Sequence, residues 1–169
     1  ANLALSRIST PEKIASLSGN PSRSVKIAAV LALRRLKSPL IKAFLNDTDE
    51  YIVTEAARAI NDDESIPEAL PELAAMINQS KFISEPLIRR AINACLRVGT
   101  NKELEYLVTF AQNNSVPEAL KAEAMATVGT WADPSVLDRV DGRYRGEFKR
   151  NSDEVKQKIN DKLPVFPMS

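Results

Sequence analysis

The stretch Glu85-Pro-Leu-Ile-Arg-Arg-Ala-Ile-Asn-Ala-Cys-Leu-Arg-Val-Gly99 sets the register for the whole chain. In it, an apolar residue is followed four places on by Ala, three further by a second Ala, and then by another apolar residue. The pattern occurs four times: Val25/Ala29/Ala32/Leu33, Ile52/Ala56/Ala59/Ile60, Leu87/Ala91/Ala94/Cys95 and Leu120/Ala124/Thr127/Val128. Steps of three and four residues put each set on one face of a helix. The first positions lie 27, 35 and 33 residues apart. That is the period of an array of helical hairpins rather than of one closed core.

Working outward, the segments between the Ala-patterned helices also read as helical, and punctuation marks each start. Thr10-Pro11 opens a short helix to about Leu17, and Gly19-Asn20-Pro21 stops it. The first patterned helix then runs from about Arg23 to Leu36. Ser38-Pro39 opens a helix to Asn46, and Asp47-x-x-Glu50 has capping-box spacing before a helix to Ile60. Similar boxes at Ser65-x-x-Glu68, Thr100-x-x-Glu103 and Ser115-x-x-Glu118 predict helices to about Asn78, Gln112 and Trp131. Pro71 is expected to force a kink or a short first turn, and Gly129 to end its helix early. Residues 133–150 carry two glycines and no helical stripe, so they are read as an irregular segment packed on the array 1–132. Asn151-x-x-Glu154 opens a last helix to about Leu163, and the apolar exit Pro164–Ser169 reads as the start of a further repeat.

Composition removes several kinds of chemistry. The 169 residues carry 23 Lys plus Arg against 22 Asp plus Glu, a net charge of +1. Non-specific nucleic-acid binding depends on clustered cations and does not suit such a balance. The chain has no His, so imidazole-based acid–base chemistry and imidazole ligation of a metal have no residue to use. The single Cys95 lies on the apolar face of its helix and reads as a small core residue. No apolar run approaches the ~20 residues that span a bilayer. No Gly-rich phosphate loop, paired-Cys motif or nucleophile elbow occurs. The residues therefore name no catalytic group, no cofactor and no metal.

The charged residues beside the Ala seams are more informative. Counting from Val25, Ile52, Leu87 and Leu120 as position one, position four reads Ala28, Glu55, Arg90, Glu123 and position eleven reads Arg35, Asp62, Arg97, Thr130. The signs alternate from repeat to repeat. This predicts two inter-repeat ladders, Glu55–Arg90–Glu123 and Arg35–Asp62–Arg97, with Arg58 and Asn93 filling the row between. The competing reading is an anion or nucleic-acid groove, which the alternating acids would neutralise. The basic run Arg139, Arg143, Arg145, Lys149 and Arg150 is similarly diluted by Asp138, Asp141 and Glu147.

These residues resemble HEAT repeats over about 10–132, the second helix having Val-Arg-x-x-Ala-x-x-Ala-Leu character; Val25-Lys26 is the nearest copy. A narrower resemblance rests on Glu55–Asp62, Arg89–Ala94 with Arg97 and Gly99, and Trp131–Arg145. These look like the HEAT region of large membrane-bound dehydrogenases of Bacteroidetes and Planctomycetes, between a β-propeller and a c-type haem domain. The resemblance implies an all-α superhelix of about four helix pairs plus a C-terminal helix, a scaffold with a periplasmic or other extracytoplasmic address. Its partners would be other domains of the parent protein or a protein on the concave face. No Cys-x-x-Cys-His is present, so no catalytic or haem-binding residue is carried over. A HEAT-type nucleic-acid-binding or DNA-glycosylase-like domain is the alternative; a HEAT-type iron hydroxylase would need His ligands.

Overall fold

A computed structural model describes residues 2–63 and 65–162, and within them the chain is all-helical, with one isolated β-bridge and no strand. The α-helices are α1 (Asn2–Ile8), α2 (Pro11–Ala15), α3 (Arg23–Arg35), α4 (Glu50–Asn61), α5 (Leu70–Gln79), α6 (Glu85–Val98), α7 (Asn101–Gln112), α8 (Glu118–Gly129) and α9 (Ser152–Lys162). Three 3-10 helices, Ser16–Gly19, Pro39–Asn46 and Pro67–Ala69, complete the set. Helix α1 precedes the first helix that the sequence punctuation marks.

The four Ala-patterned helices are α3, α4, α6 and α8. They follow one another in space: α3 packs on α4, α4 on α6, and α6 on α8. The intervening elements form a second row, in which α2 meets Pro39–Asn46, that helix meets α5, and α5 meets α7. Every Ala of the seams is fully or almost fully buried: Ala29, Ala32, Ala56, Ala59, Ala91, Ala94 and Ala124. A methyl side chain lets neighbouring helix backbones approach closely, and the larger Leu33, Ile52, Ile60 and Leu87 fill the space on either side. Helix α6 has neighbours on several sides, α4, α5, α7 and α8, and eight of its fourteen residues are buried. A Leu or Ile reduced to Ala there costs about 2–5 kcal/mol.

Local chemistry moves several helix starts from where capping-box spacing puts them. Helix α4 is capped by Asp49, whose carboxylate accepts from the Tyr51 N–H, while Asp47 accepts from the Asp49 N–H one turn earlier. Ser65 is no N-cap. It sits at φ +58° and donates its hydroxyl to the Ile60 carbonyl, at 3.0 Å, closing the loop after α4. The following helix begins as a 3-10 turn at Pro67, and Pro71 falls in the first turn of α5, where its missing N–H has no consequence. Pro39–Asn46 is 3-10 throughout. Helix α8 starts after Pro117 and ends at Gly129. The C-terminal helix covers 152–162, and the expected apolar exit 164–169 lies outside the described residues.

Candidate functional site

Residues 135–150 form a strap across the Ala-patterned helices. Its centre is a tight reversal: the Asp138 N–H donates to the Arg143 carbonyl (2.7 Å) and the Arg145 N–H to the Val136 carbonyl (2.8 Å). Leu137 and Tyr144 face each other in an antiparallel bridge. Gly142 turns the corner at φ +72°, and Asp138 stiffens it by accepting from the Val140 N–H at 2.8 Å. Alternation then sends Asp138, Arg143 and Arg145 toward the helices while Tyr144 stays exposed.

Asp138 is the hub of a buried polar network between α4 and α6. Its side chain is 0% exposed and its Oδ2 takes the Arg145 Nε at 2.9 Å and the Asn93 Nδ2 at 3.0 Å, with Arg97 Nη1 at 3.8 Å. Asn93 also donates to the Asn61 side-chain oxygen at 2.8 Å. Arg145 extends the network by donating to the backbone carbonyls of Asn61 (3.0 Å) and Asp63 (2.7 Å) and to Asp141 (2.9 Å). These carbonyls stand at and beyond the end of α4, where a helix leaves acceptors unsatisfied and its dipole favours a cation. Burial pushes the Asp138 carboxyl up. Hydrogen bonds from the Val140 N–H, Arg145, the Asp141 N–H and Asn93 outweigh that and hold it below the usual range. Burial and the neighbouring Arg145 charge pull Arg97 down, opposed by Asp138 and Asp141.

The predicted ladder residues lie in this region with a different pairing. Arg90 makes a two-pronged contact with Asp62 (Nε–Oδ1 2.9 Å, Nη2–Oδ2 2.6 Å) instead of pairing with Glu55 or Glu123. Glu55 pairs within its own helix with Arg58 at 2.9 Å, so Arg58 does not join Asn93 in an intermediate row. Glu123 is taken by Arg89 at 3.0 Å. Arg97 meets the Asn61 carbonyl at 3.4 Å, and Arg35 has no carboxylate partner among the described residues. The reason is local. Helix α4 stops at Asn61, and Asp62 is extended (φ −80°, ψ 165°), so it leaves the helical stripe and reaches Arg90 diagonally. The alternation of charge is real in the sequence, but the columns are crossed.

Two further anchors hold the strap. Arg139 donates to the Thr127 hydroxyl at 2.7 Å, while that hydroxyl donates to the Glu123 carbonyl at 2.8 Å. Thr127 is the one departure from Ala in the seam columns, and that departure marks where the strap docks. Arg150 donates to the Leu96 and Trp131 carbonyls, both at 2.6 Å, and its guanidinium stacks 4.8 Å from the Trp131 ring centre. Gly99 closes α6 at φ +70°, and a Cβ there would meet the Arg150 guanidinium. The left-handed backbone favours glycine, and any side chain there would push the guanidinium off the end of α6.

Beside the strap lies an open cleft of about 510 Å³, between the C-terminal ends of α3 and α4, with Arg143 as its third wall. Chemistry elsewhere is sparse. Cys95 is buried, donates to the Ala74 carbonyl at 3.6 Å, and its thiol is pushed far up by burial and by the Glu103 charge, so it is an inert core residue. No group of three or more His, Cys, Asp or Glu among the described residues could hold a metal ion. No helix among them is long and apolar enough to cross a membrane. No family model, curated protein or solved structure matches the chain.

Proposed function

We propose that this chain is a HEAT-type α-α superhelix acting as a non-catalytic scaffold, holding neighbouring domains of its parent protein or a protein partner on the concave face of the Ala-patterned helices. The observation that carries this reading is the succession α3–α4–α6–α8 beside the second row, each helix meeting the next. Stacked repeats of that kind present an extended surface. In this proposal the strap is part of the scaffold and narrows the concave face to what lies outside residues 135–150. The likeness to the HEAT region of propeller-and-haem dehydrogenases would make the segment an interdomain spacer, with the redox chemistry in other domains.

The nucleic-acid alternative finds little to use. Arg139, Arg143, Arg145 and Arg150 all have partners within the chain. Fluorescence anisotropy with duplex DNA should show no binding that weakens with salt.

Small-angle scattering tests the arrangement. A closed globule of this length has a radius of gyration of about 15 Å, and a superhelix must exceed it. Photo-cross-linking from Tyr51, half exposed on α4, tests the function in the parent protein. Cross-links to a flanking domain or a resident partner are expected; a scaffold that yields none from this face is refuted.

A further inference from the structure

We propose that the face of α8 turned away from α6 is the docking site for the chain's own residues 163–169. The site follows from the succession of helices, whatever the scaffold holds. Register shows which side of each patterned helix meets its successor. Counting again from Val25, Ile52, Leu87 and Leu120, position three of α6 is Arg89, which reaches Glu123 on α8. Position ten of α4 is Asn61, which receives Asn93 from α6. Position six falls on the same side of the helix. In α3, α4 and α6 it is Val30, Ala57 and Ile92, each 0% exposed. In α8 it is Met125, 37% exposed, flanked by the exposed Ala122 and Gly129 at positions three and ten. No patterned helix follows α8 among the described residues, so the side that is buried in the three earlier helices stands open here.

The chain supplies its own occupant for that side. In the earlier hairpins it turns out of the second row through residues 47–49, 80–84 and 113–117, and the patterned helix that follows covers its predecessor. Helix α9 takes the next place in the second row, packed on α7 with Val155 against the core. The residues after it, Leu163-Pro-Val-Phe-Pro-Met-Ser169, lie outside the described residues and come at the step where a successor to α8 is due. Seven extended residues span at most ~23–25 Å. Crossing to α8 takes about 10 Å, the spacing of packed helices, which leaves enough chain to reach Ala122 and Met125. Pro164 and Pro167 suit an extended path better than a helical one. The segment carries four apolar side chains, Leu163, Val165, Phe166 and Met168, and no charged one. On α8, Ala122 and Gly129 leave room on either side of Met125, whose thioether suits an aromatic ring such as that of Phe166.

The test is disulfide trapping in the whole chain, since a disulfide closes only when the two Cα atoms come within about 7 Å. Ala122→Cys with Phe166→Cys is compared with Thr48→Cys with Phe166→Cys, Thr48 being exposed just before α4, two helices back along the row from α8. The native Cys95 is buried and stays silent. Under oxidised glutathione the Ala122→Cys pair should close within one molecule, at a rate unchanged by dilution and roughly tenfold above that of the Thr48→Cys pair. Val165→Asp, added to the Ala122→Cys pair, should slow closure, because the contact is apolar; a tether that merely brings the ends near would not respond. Equal rates in the two pairs, a closure that Val165→Asp leaves unchanged, or links formed only between two molecules overturn the site. The last result would give the open face of α8 to a second copy of the chain instead.

Discussion

Two halves of the Ala-patterned face differ in how their charges are satisfied. Between α4, α6 and α8 the strap supplies partners to several polar groups of the helices: Asp138 to Asn93, Arg139 to Thr127, Arg145 to the Asn61 carbonyl and Arg150 to the Leu96 carbonyl. Between α3 and α4 the strap lines the cleft with Arg143 and holds Asp63 through Asp141 and Arg145, and the surface stays open with Arg35 unmatched by an acid among the described residues. The closed half behaves as core and should respond to mutation in stability. The open half is surface, and should respond mainly in what it binds.

The largest effect is expected at the hub. Asp138→Ala takes the carboxylate from Arg97 and Asn93 and leaves Arg145 only Asp141, and removing one member of a buried pair costs about 3–5 kcal/mol. Urea unfolding should show that loss, and Asp138→Asn, which keeps the shape but not the charge, should lose less. Next comes Gly99→Ala. Left-handed backbone and the contact with Arg150 together should cost about 1–3 kcal/mol, read as a drop in melting temperature; an unchanged value would mean Arg150 does not sit over the α6 terminus. Thr127→Val removes the acceptor for Arg139 and should cost about 1 kcal/mol. At the open half, Arg35→Ala should leave stability within about 0.5 kcal/mol of the parent, as exposed surface substitutions do.

Acid sharpens the same contrast. The Asp138 carboxyl titrates below its ordinary value of 3.8 in the folded chain. Its contribution is therefore complete above the unfolded value and is lost as pH falls through the lower folded one. Stability measured from pH 5 down to about 2 should fall in the parent, and that part of the fall should be missing in Asp138→Asn.

The helices were legible because apolar spacing and Ala at fixed steps are local signals, as at Ile52/Ala56/Ala59. Caps were less so. Ser65-x-x-Glu68 has the letters of a capping box, but the Ile60 carbonyl, five residues back, claims the serine hydroxyl. Of the site, the ladder residues Arg90, Asn93 and Arg97 do meet α4, yet with Asp62 and Asn61 in place of the partners that equal register predicts. Nothing in the repeat period reveals that Asp62 leaves the helix. Arg145 reads as one member of a basic run and Asp138 as its dilution, since their partners lie 84 and 45 residues away in sequence, at Asn61 and Asn93. The one available hint was Thr127, a polar residue where the column calls for Ala.

The strap also bears on how the chain comes apart. Helical hairpins that touch only their neighbours can fray from either end, one at a time. Here a single segment grips the ends of α4 and α6 and the side of α8 at once. Loosening α8 therefore tugs on α4 through the hairpin, and the middle of the molecule should melt in one sharp step, with amide exchange in α4, α6 and α8 slowing or quickening together.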